Sequence, residues 1–178
     1  AAFLVGVSMG ILDGWKAKRF LEDAESALQR GDFRSAIHAL TDAVHLKPNW
    51  PEAQYQYGSV LLASADADVA RGHSADVRAT QSYELATEAL KALNRALRDH
   101  PDHPDAHNDR GRALVKLDRL TEADEAFGDA LEQRPDFEAA SFNRRWLRGQ
   151  MSRLEALDIE GADHEVMREL REYSLRAS

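Results

Sequence analysis

The residues with the clearest chemical potential in this sequence lie in one short segment, RDHPDHPDAHND, at positions 98–109. Imidazole and carboxylate side chains of the kind found there suit zinc or nickel. Its histidines, at three- and four-residue spacing, are His100, His103 and His107. Pro101 and Pro104 interrupt any helix, however, so the three rings cannot share one helical face. Aspartate and proline are ordinary capping and turn residues, so we predict that the chain has no metal or cofactor.

The rest of the sequence has no recognisable catalytic motif. It contains no cysteine, no Gly-rich phosphate loop, no HExxH pair and no GxSxG turn. The formal net charge of −8 repels phosphate backbones and favours neutral or basic partners. We therefore predict that the chain is not an enzyme and that it binds a protein partner, with no nucleic acid and no small-molecule substrate.

Small and apolar residues recur along the chain in one order. The recurring sets are Ala36, Leu40, Ala43 and Pro48; Ala89, Leu93, Ala96 and Pro101; and Ala123, Phe127, Ala130 and Pro135. Each member of the third set lies 34 residues after its counterpart in the second. The first three positions of each set fall on one face of a helix, where small side chains allow another helix to approach closely. Each proline marks the end of that helix.

A 34-residue period with these residues resembles the tetratricopeptide repeat, in which two antiparallel helices form each unit. The resemblance implies an all-α, α-α superhelix of about three and a half hairpins. We place an apolar segment at residues 1–15 and the repeat domain at 16–178, with units 17–50, 51–103 and 104–137 and a partial unit with its cap at 138–178. The segment HEVMRELREYSL suits a polar-faced capping helix, which such arrays need to stay soluble.

The second unit is larger than the others. Gly58 and Ala89 are 31 residues apart, whereas their counterparts Gly111 and Ala123 are 12 apart, so 19 additional residues fall at about 64–82. This insertion is rich in helix-forming residues, which predicts two lengthened helices. A disordered loop is the alternative, because serine and aspartate are frequent and apolar residues are few. Either form would project from the array and provide a binding surface.

In the resembled family the first helix of each hairpin lines a concave surface. The positions that match its contact residues are Lys18, Leu21, Glu25, Tyr55, Ser59, Leu62, Asn108, Arg112, Phe142 and Trp146. The aromatic members of this set would anchor a partner, and Asn108 and Arg112 would read its polar groups. The alternative is that the aromatic residues, Trp146 in particular, only pack between hairpins. Some family members grip a C-terminal carboxylate with Lys and Asn, but Leu21, Glu25 and Ser59 here lack those donors.

The first twelve residues, AAFLVGVSMGIL, are apolar and are followed at once by charged residues and Trp15. Twelve residues of helix reach ~18 Å, less than the ~30 Å of a hydrocarbon core. The boundary pattern nevertheless predicts part of a membrane helix, with the repeats on the cytoplasmic side. The alternatives are packing on the first repeat and the remnant of a signal peptide.

Taken together, these features predict a membrane-tethered scaffold that binds a partner protein through its concave groove, its enlarged second hairpin or both. The alternative is a structural accessory subunit of a multiprotein membrane complex, held there by its N-terminal helix.

Overall fold

The chain forms a row of helical hairpins, seen in a computed structural model that describes residues 2–68 and 75–157. Side chains are described for residues 12–67 and 79–153. All regular secondary structure in these ranges is helical, in seven helices: α1 (Ala2–Gln29), α2 (Phe33–Leu46), α3 (Pro51–Asp68), α4 (Ala75–Asp99), α5 (Pro104–Lys116), α6 (Leu120–Gln133) and α7 (Glu138–Leu157). The helices pair as α1 with α2, α3 with α4 and α5 with α6, and α7 packs against α6. The predicted all-α hairpin solenoid is confirmed.

Prolines mark the ends of the second helices as predicted. Helices α2, α4 and α6 end at Leu46, Asp99 and Gln133, each two residues before a proline. The missing proline N–H and the steric restriction on the preceding residue account for these ends. The three short turns return the chain to the start of the next hairpin.

The small residues of the repeat lie where the two helices of a hairpin touch. Ala123 and Ala130 of α6 are fully buried and Phe127 is 1 % exposed. The side chain of Phe127 lies against Gly111 of α5 so closely that a Cβ atom on Gly111 would be 2.5 Å from its ring. Burial of this face removes apolar surface from water and holds the hairpin closed.

Helix α1 overturns the membrane prediction. It runs without a break from the apolar residues at its start, through Asp13 and Trp15, into the half that packs on α2. In the ranges that the structure describes, no helix combines the length and the apolar character needed to cross a membrane. The predicted membrane association through residues 1–12, and with it the predicted cytoplasmic side, is therefore wrong. The physical reason is that charged residues begin about three turns into α1.

The insertion in the second unit lengthens both of its helices. Helix α3 has 18 residues and α4 has 25, compared with 13 in α5 and 14 in α6. Ala65 and Asp66, which belong to the insertion, are packed into the protein rather than extended into solvent. The two ends of the insertion are therefore helical, one as part of α3 and the other as part of α4. Its centre, at residues 69–74, and the predicted cap at 164–175 lie outside the described ranges.

Charged contacts hold α7 on α6. The side chain of Asp124 accepts hydrogen bonds from Arg148 Nε at 2.6 Å and from Arg144 Nε at 3.1 Å. These two guanidinium groups, Arg148 foremost, lower the pKa of Asp124 to about 2. The carboxylate therefore joins the half unit to the last full hairpin in its ionised form.

Substitution of Asp124 by Asn should remove a stabilising term that depends on pH. Because the folded-state pKa is below the ordinary value of 3.8, the ion pairs stabilise the fold above pH ~4, and this contribution is lost as the pH falls through about 2. Arg148 is 59 % exposed, so solvent screening limits the loss at neutral pH to roughly 1 kcal/mol. The free energy of unfolding, measured with urea at a series of pH values from neutral to acid, should differ between the wild-type protein and Asp124→Asn at neutral pH. The two values should converge at the acid end of the series. Glu125→Gln, an exposed acid on the same helix, is the control. A constant difference across this pH range would contradict the assignment.

Candidate functional site

The inner layer of the array is made by the first helices of the hairpins. Besides pairing within their hairpins, α3 contacts α5 and α5 contacts α7. This is the surface on which the resemblance places a binding groove. Three of the expected contact residues are buried: Leu21 and Asn108 are each 7 % exposed and Leu62 is fully buried. Lys18 and Glu25 are exposed on α1.

A chain of polar contacts crosses from α3 to α5 on this layer. The Ser59 hydroxyl is hydrogen-bonded to both Tyr55 and Asp109. Arg112 Nη1 donates to Asp109 Oδ1 at 3.0 Å, and Arg112 Nη2 donates to Asp66 Oδ2 at 2.7 Å. The structure therefore brings three of the expected residues, Tyr55, Ser59 and Arg112, into one network.

Two members of this network, Asp66 and Lys116, carry buried charges. The side chains of Asp66 and Lys116 are 8 % and 3 % exposed, and Lys116 Nζ lies 2.5 Å from Asp66 Oδ1. Asp66 comes from the insertion, so the enlarged hairpin supplies the acid that neutralises two cations of α5. Sequence reasoning missed this pairing, because Asp66 and Arg112 are 46 residues apart. One feature of the sequence indicated part of this network: Asp109 lies three residues before Arg112, so the two side chains are neighbours on one helix face.

The network creates a negative environment around Tyr55. Desolvation, followed by the charges of Asp109, Asp105 and Glu52, raises the pKa of Tyr55 to about 12. Burial likewise raises the pKa of Asp109, opposed by Arg112 and by the Ser59 hydroxyl. Tyr55 thus keeps its phenolic proton at neutral pH and can donate a hydrogen bond. A cationic group near it would be stabilised, and an anionic one would be repelled.

The expected residues on α5 and α7 form a second part of the inner layer. Asn143 Nδ2 donates a hydrogen bond to Asn108 Oδ1 at 3.0 Å. The orientation of the two side-chain amides is assigned from this hydrogen bond. Phe142, the neighbour of Asn143, keeps 39 % of its surface exposed. Trp146, by contrast, is partly buried against the core beneath α5 and α6. On α7, Phe142 is therefore the more accessible of the two expected aromatic residues.

The histidines of the segment at 98–109 have structural roles. His103 is the N-cap of α5, where its Nδ1 accepts from Ala106 N at 3.2 Å, and its ring lies 4.4 Å from that of Tyr55. His107 Nε2 donates to the Pro101 carbonyl oxygen at 2.7 Å. His100 is exposed in the turn. Across the described part of the chain, no three His, Asp or Glu side chains are grouped so as to hold a metal ion.

The chain has structural relatives among solved proteins. It is similar to the first TPR of Spaghetti (RPAP3), solved with the HSP90 peptide SRMEEVD, at 19% identity and a TM-score of 0.64 over 78% of this chain and 94% of that one. It is also similar to the Arabidopsis OM64 TPR domain, at 18% identity and a TM-score of 0.62 over 75% and 94%. The Aspergillus fumigatus Sgt2 TPR domain matches at 13% identity and a TM-score of 0.62 over 79% and 82%. At these identities the likeness shows the fold.

The sequence itself carries the assignment to a family. No curated protein matches the chain. The tetratricopeptide repeat profile, however, matches residues 21–81 and 85–136, which is more than half of the chain and includes the enlarged second hairpin. The recurring small residues, the proline-terminated second helices and the hairpin array are the physical basis of that match. The chain belongs to the tetratricopeptide repeat family.

Proposed function

We propose that the chain is a non-catalytic scaffold whose concave inner layer binds a segment of a partner protein. The observation that carries the proposal is the combination of an exposed aromatic ring, Phe142, with a line of fixed polar groups on the neighbouring first helices. Exposed aromatic residues on a rigid surface are typical anchors of protein interfaces. The related fold of Spaghetti is solved with a bound peptide, which supports a peptide segment as the occupant.

The charges of the inner layer favour a particular kind of segment. Asp109, Asp105 and Glu52 all act on Tyr55, while the nearby cations are already paired, Arg112 with Asp66 and Asp109 and Arg134 with Asp105. A segment with an apolar anchor and a basic or hydrogen-bond-accepting neighbour suits this surface. An acidic C-terminal tail suits this surface less well, because Asp109, Asp105 and Glu52 would repel its carboxylates.

The experiment is affinity capture from a cell extract, followed by mass spectrometry, with single aromatic variants. Phe142→Ala should lower recovery of the specific partner by about tenfold or more, because it removes an interface anchor. Its effect on stability should be small, since the side chain is 39 % exposed. Tyr83→Ala tests the enlarged hairpin, where Tyr83 is 53 % exposed on α4. His38→Ala, on the exposed face of α2, is the matched control.

The outcome distinguishes the two surfaces. Loss of capture with Tyr83→Ala and full capture with Phe142→Ala would move the site to the enlarged hairpin and overturn the proposal for the inner layer. Full capture with both variants would overturn both surfaces. Deletion of residues 64–82 is unsuitable for this purpose, because it also removes Asp66 and leaves Lys116 without its acid.

A further inference from the structure

A basic cleft lies between α4, one of the second helices of the array, and α5. It has a volume of about 680 Å³ and is formed by the C-terminal half of α4 and the start of α5. Four of its lining residues are cations, namely Lys91, Arg95, Arg98 and Arg110. This local charge contrasts with the net charge of −8 of the whole chain.

The cations of this cleft are only partly neutralised by the protein itself. Lys91 contacts Glu88 at 3.1 Å, and Arg110 lies 3.7 Å from Asp129. The Nε atom of Arg110 is buried and has no hydrogen-bond acceptor among the described residues. Arg95 and Arg98 are exposed and have no carboxylate within 4 Å in the ranges 12–67 and 79–153. The exposed charges of Arg95 and Arg98 are therefore available to a ligand.

The cleft continues across α4 into a second one. Arg95 and Arg98 also line a neighbouring cleft of about 440 Å³, which reaches Val44 and Tyr57 beside α2. The two arginines thus stand on the ridge between two adjoining depressions. The first cleft has an apolar component from Leu97 and Pro101. These two clefts, here called the outer track, combine cationic and apolar lining with one acid, Glu88, which is paired with Lys91.

We infer that this outer track is a second docking site, which takes an extended acidic peptide segment of a partner protein. Guanidinium groups bind carboxylates through two parallel hydrogen bonds, and the exposed Arg95 and Arg98 can receive the acidic side chains of such a segment. Leu97 and Pro101 would pack against its aliphatic parts. A nucleic acid fits less well, because the patch has only four cations and the remainder of the surface is acidic. The inner and outer faces would then select segments of opposite charge.

The test is fluorescence anisotropy with a short labelled oligoglutamate peptide, and with an oligoglutamine peptide of equal length as the neutral probe. The wild-type chain should bind oligoglutamate in preference to oligoglutamine, and the affinity should fall as salt is added. Arg95→Ala with Arg98→Ala should weaken binding by at least about tenfold, because two charge-assisted contacts are lost. Both side chains are exposed, so the fold should be retained, as circular dichroism would show.

A charge-matched control separates this site from general electrostatic attraction. Arg34→Ala with Arg145→Ala removes the same two charges from exposed positions elsewhere and should leave binding unchanged. Equal weakening in both double variants, or no preference for oligoglutamate, would overturn the inference. Tighter binding of single-stranded DNA than of oligoglutamate would assign the track to nucleic acid instead. Phe142→Ala should retain oligoglutamate binding, so the proposal for this site and the proposal for the inner layer are tested independently.

Discussion

Replacing Gly111 by Ala should lower the free energy of unfolding by about 2 kcal/mol, one of the two largest effects that we expect. The added Cβ atom would lie 2.5 Å from Phe127 Cε1 and 2.6 Å from its Cδ1. A buried ring that closes the α5–α6 hairpin cannot move without opening the core. Overpacking of this kind costs ~3 kcal/mol, and the better helix propensity of alanine offsets ~1 kcal/mol of it.

Gly149→Ala is the matched control for this prediction. Gly149 also lies within a helix, α7, but a Cβ atom there would meet nothing within 4 Å. The same chemical change should therefore raise the free energy of unfolding by roughly 0.5–1 kcal/mol. Urea unfolding followed by circular dichroism should show that Gly111→Ala is less stable than the wild-type protein and that Gly149→Ala is more stable. Similar shifts in both would mean that Gly111 is not in close contact with Phe127.

Replacing Asp66 by Ala is expected to have the largest electrostatic effect, a loss of roughly 3 kcal/mol in the free energy of unfolding. The substitution removes the carboxylate that lies 2.5 Å from Nζ of Lys116, whose side chain is 3 % exposed. Arg112 would keep Asp109 as a partner. Lys116→Met should cost less, because Asp66 would still be paired with Arg112. We therefore expect Asp66→Ala to lower the free energy of unfolding by more than Lys116→Met does.

A double-mutant cycle with Asp66→Ala and Lys116→Met measures the interaction directly. The double variant should be more stable than Asp66→Ala alone, because it no longer buries an ammonium group that has lost the carboxylate of Asp66. Glu88→Ala is the control, since it breaks an exposed ion pair with Lys91 and should change stability by less than ~1 kcal/mol. Additive effects of Asp66 and Lys116 in chemical denaturation would show that the insertion does not neutralise α5.

The Asp66 contacts give the insertion a structural meaning. In the α5–α6 hairpin the two helices end after 13 and 14 residues, whereas α3 continues far enough for Asp66 to reach Arg112 and Lys116. The enlargement of the second unit is therefore coupled to the polar network of the inner layer. A change in the insertion should alter the surface that we propose for partner binding, even if the partner never touches the insertion.

The repeat could be read from the sequence because its physical causes are local. Ala123, Phe127 and Ala130 share a helical face through spacing alone, and Pro135 ends the helix through its own ring and missing donor. Because each unit carries this spacing and this proline, the succession of hairpins along the chain follows from the sequence as well. The membrane prediction failed for a related reason. The apolar composition of residues 1–12 was evident, but its continuation into one helix with the charged residues of the first hairpin was not.

The candidate site depended on contacts between residues distant in the sequence. Family resemblance placed Tyr55, Ser59 and Arg112 on the same layer, but burial of Leu21 and Leu62 depends on how neighbouring helices pack. The sequence alone thus determined the fold class, the helix ends and the faces that touch within hairpins. Tertiary structure decided which charges are buried together, as in Asp66 with Lys116, and which stay available, as in Arg95 and Arg98. Local spacing specifies a helix face, whereas charge pairing across helices depends on their relative position in space.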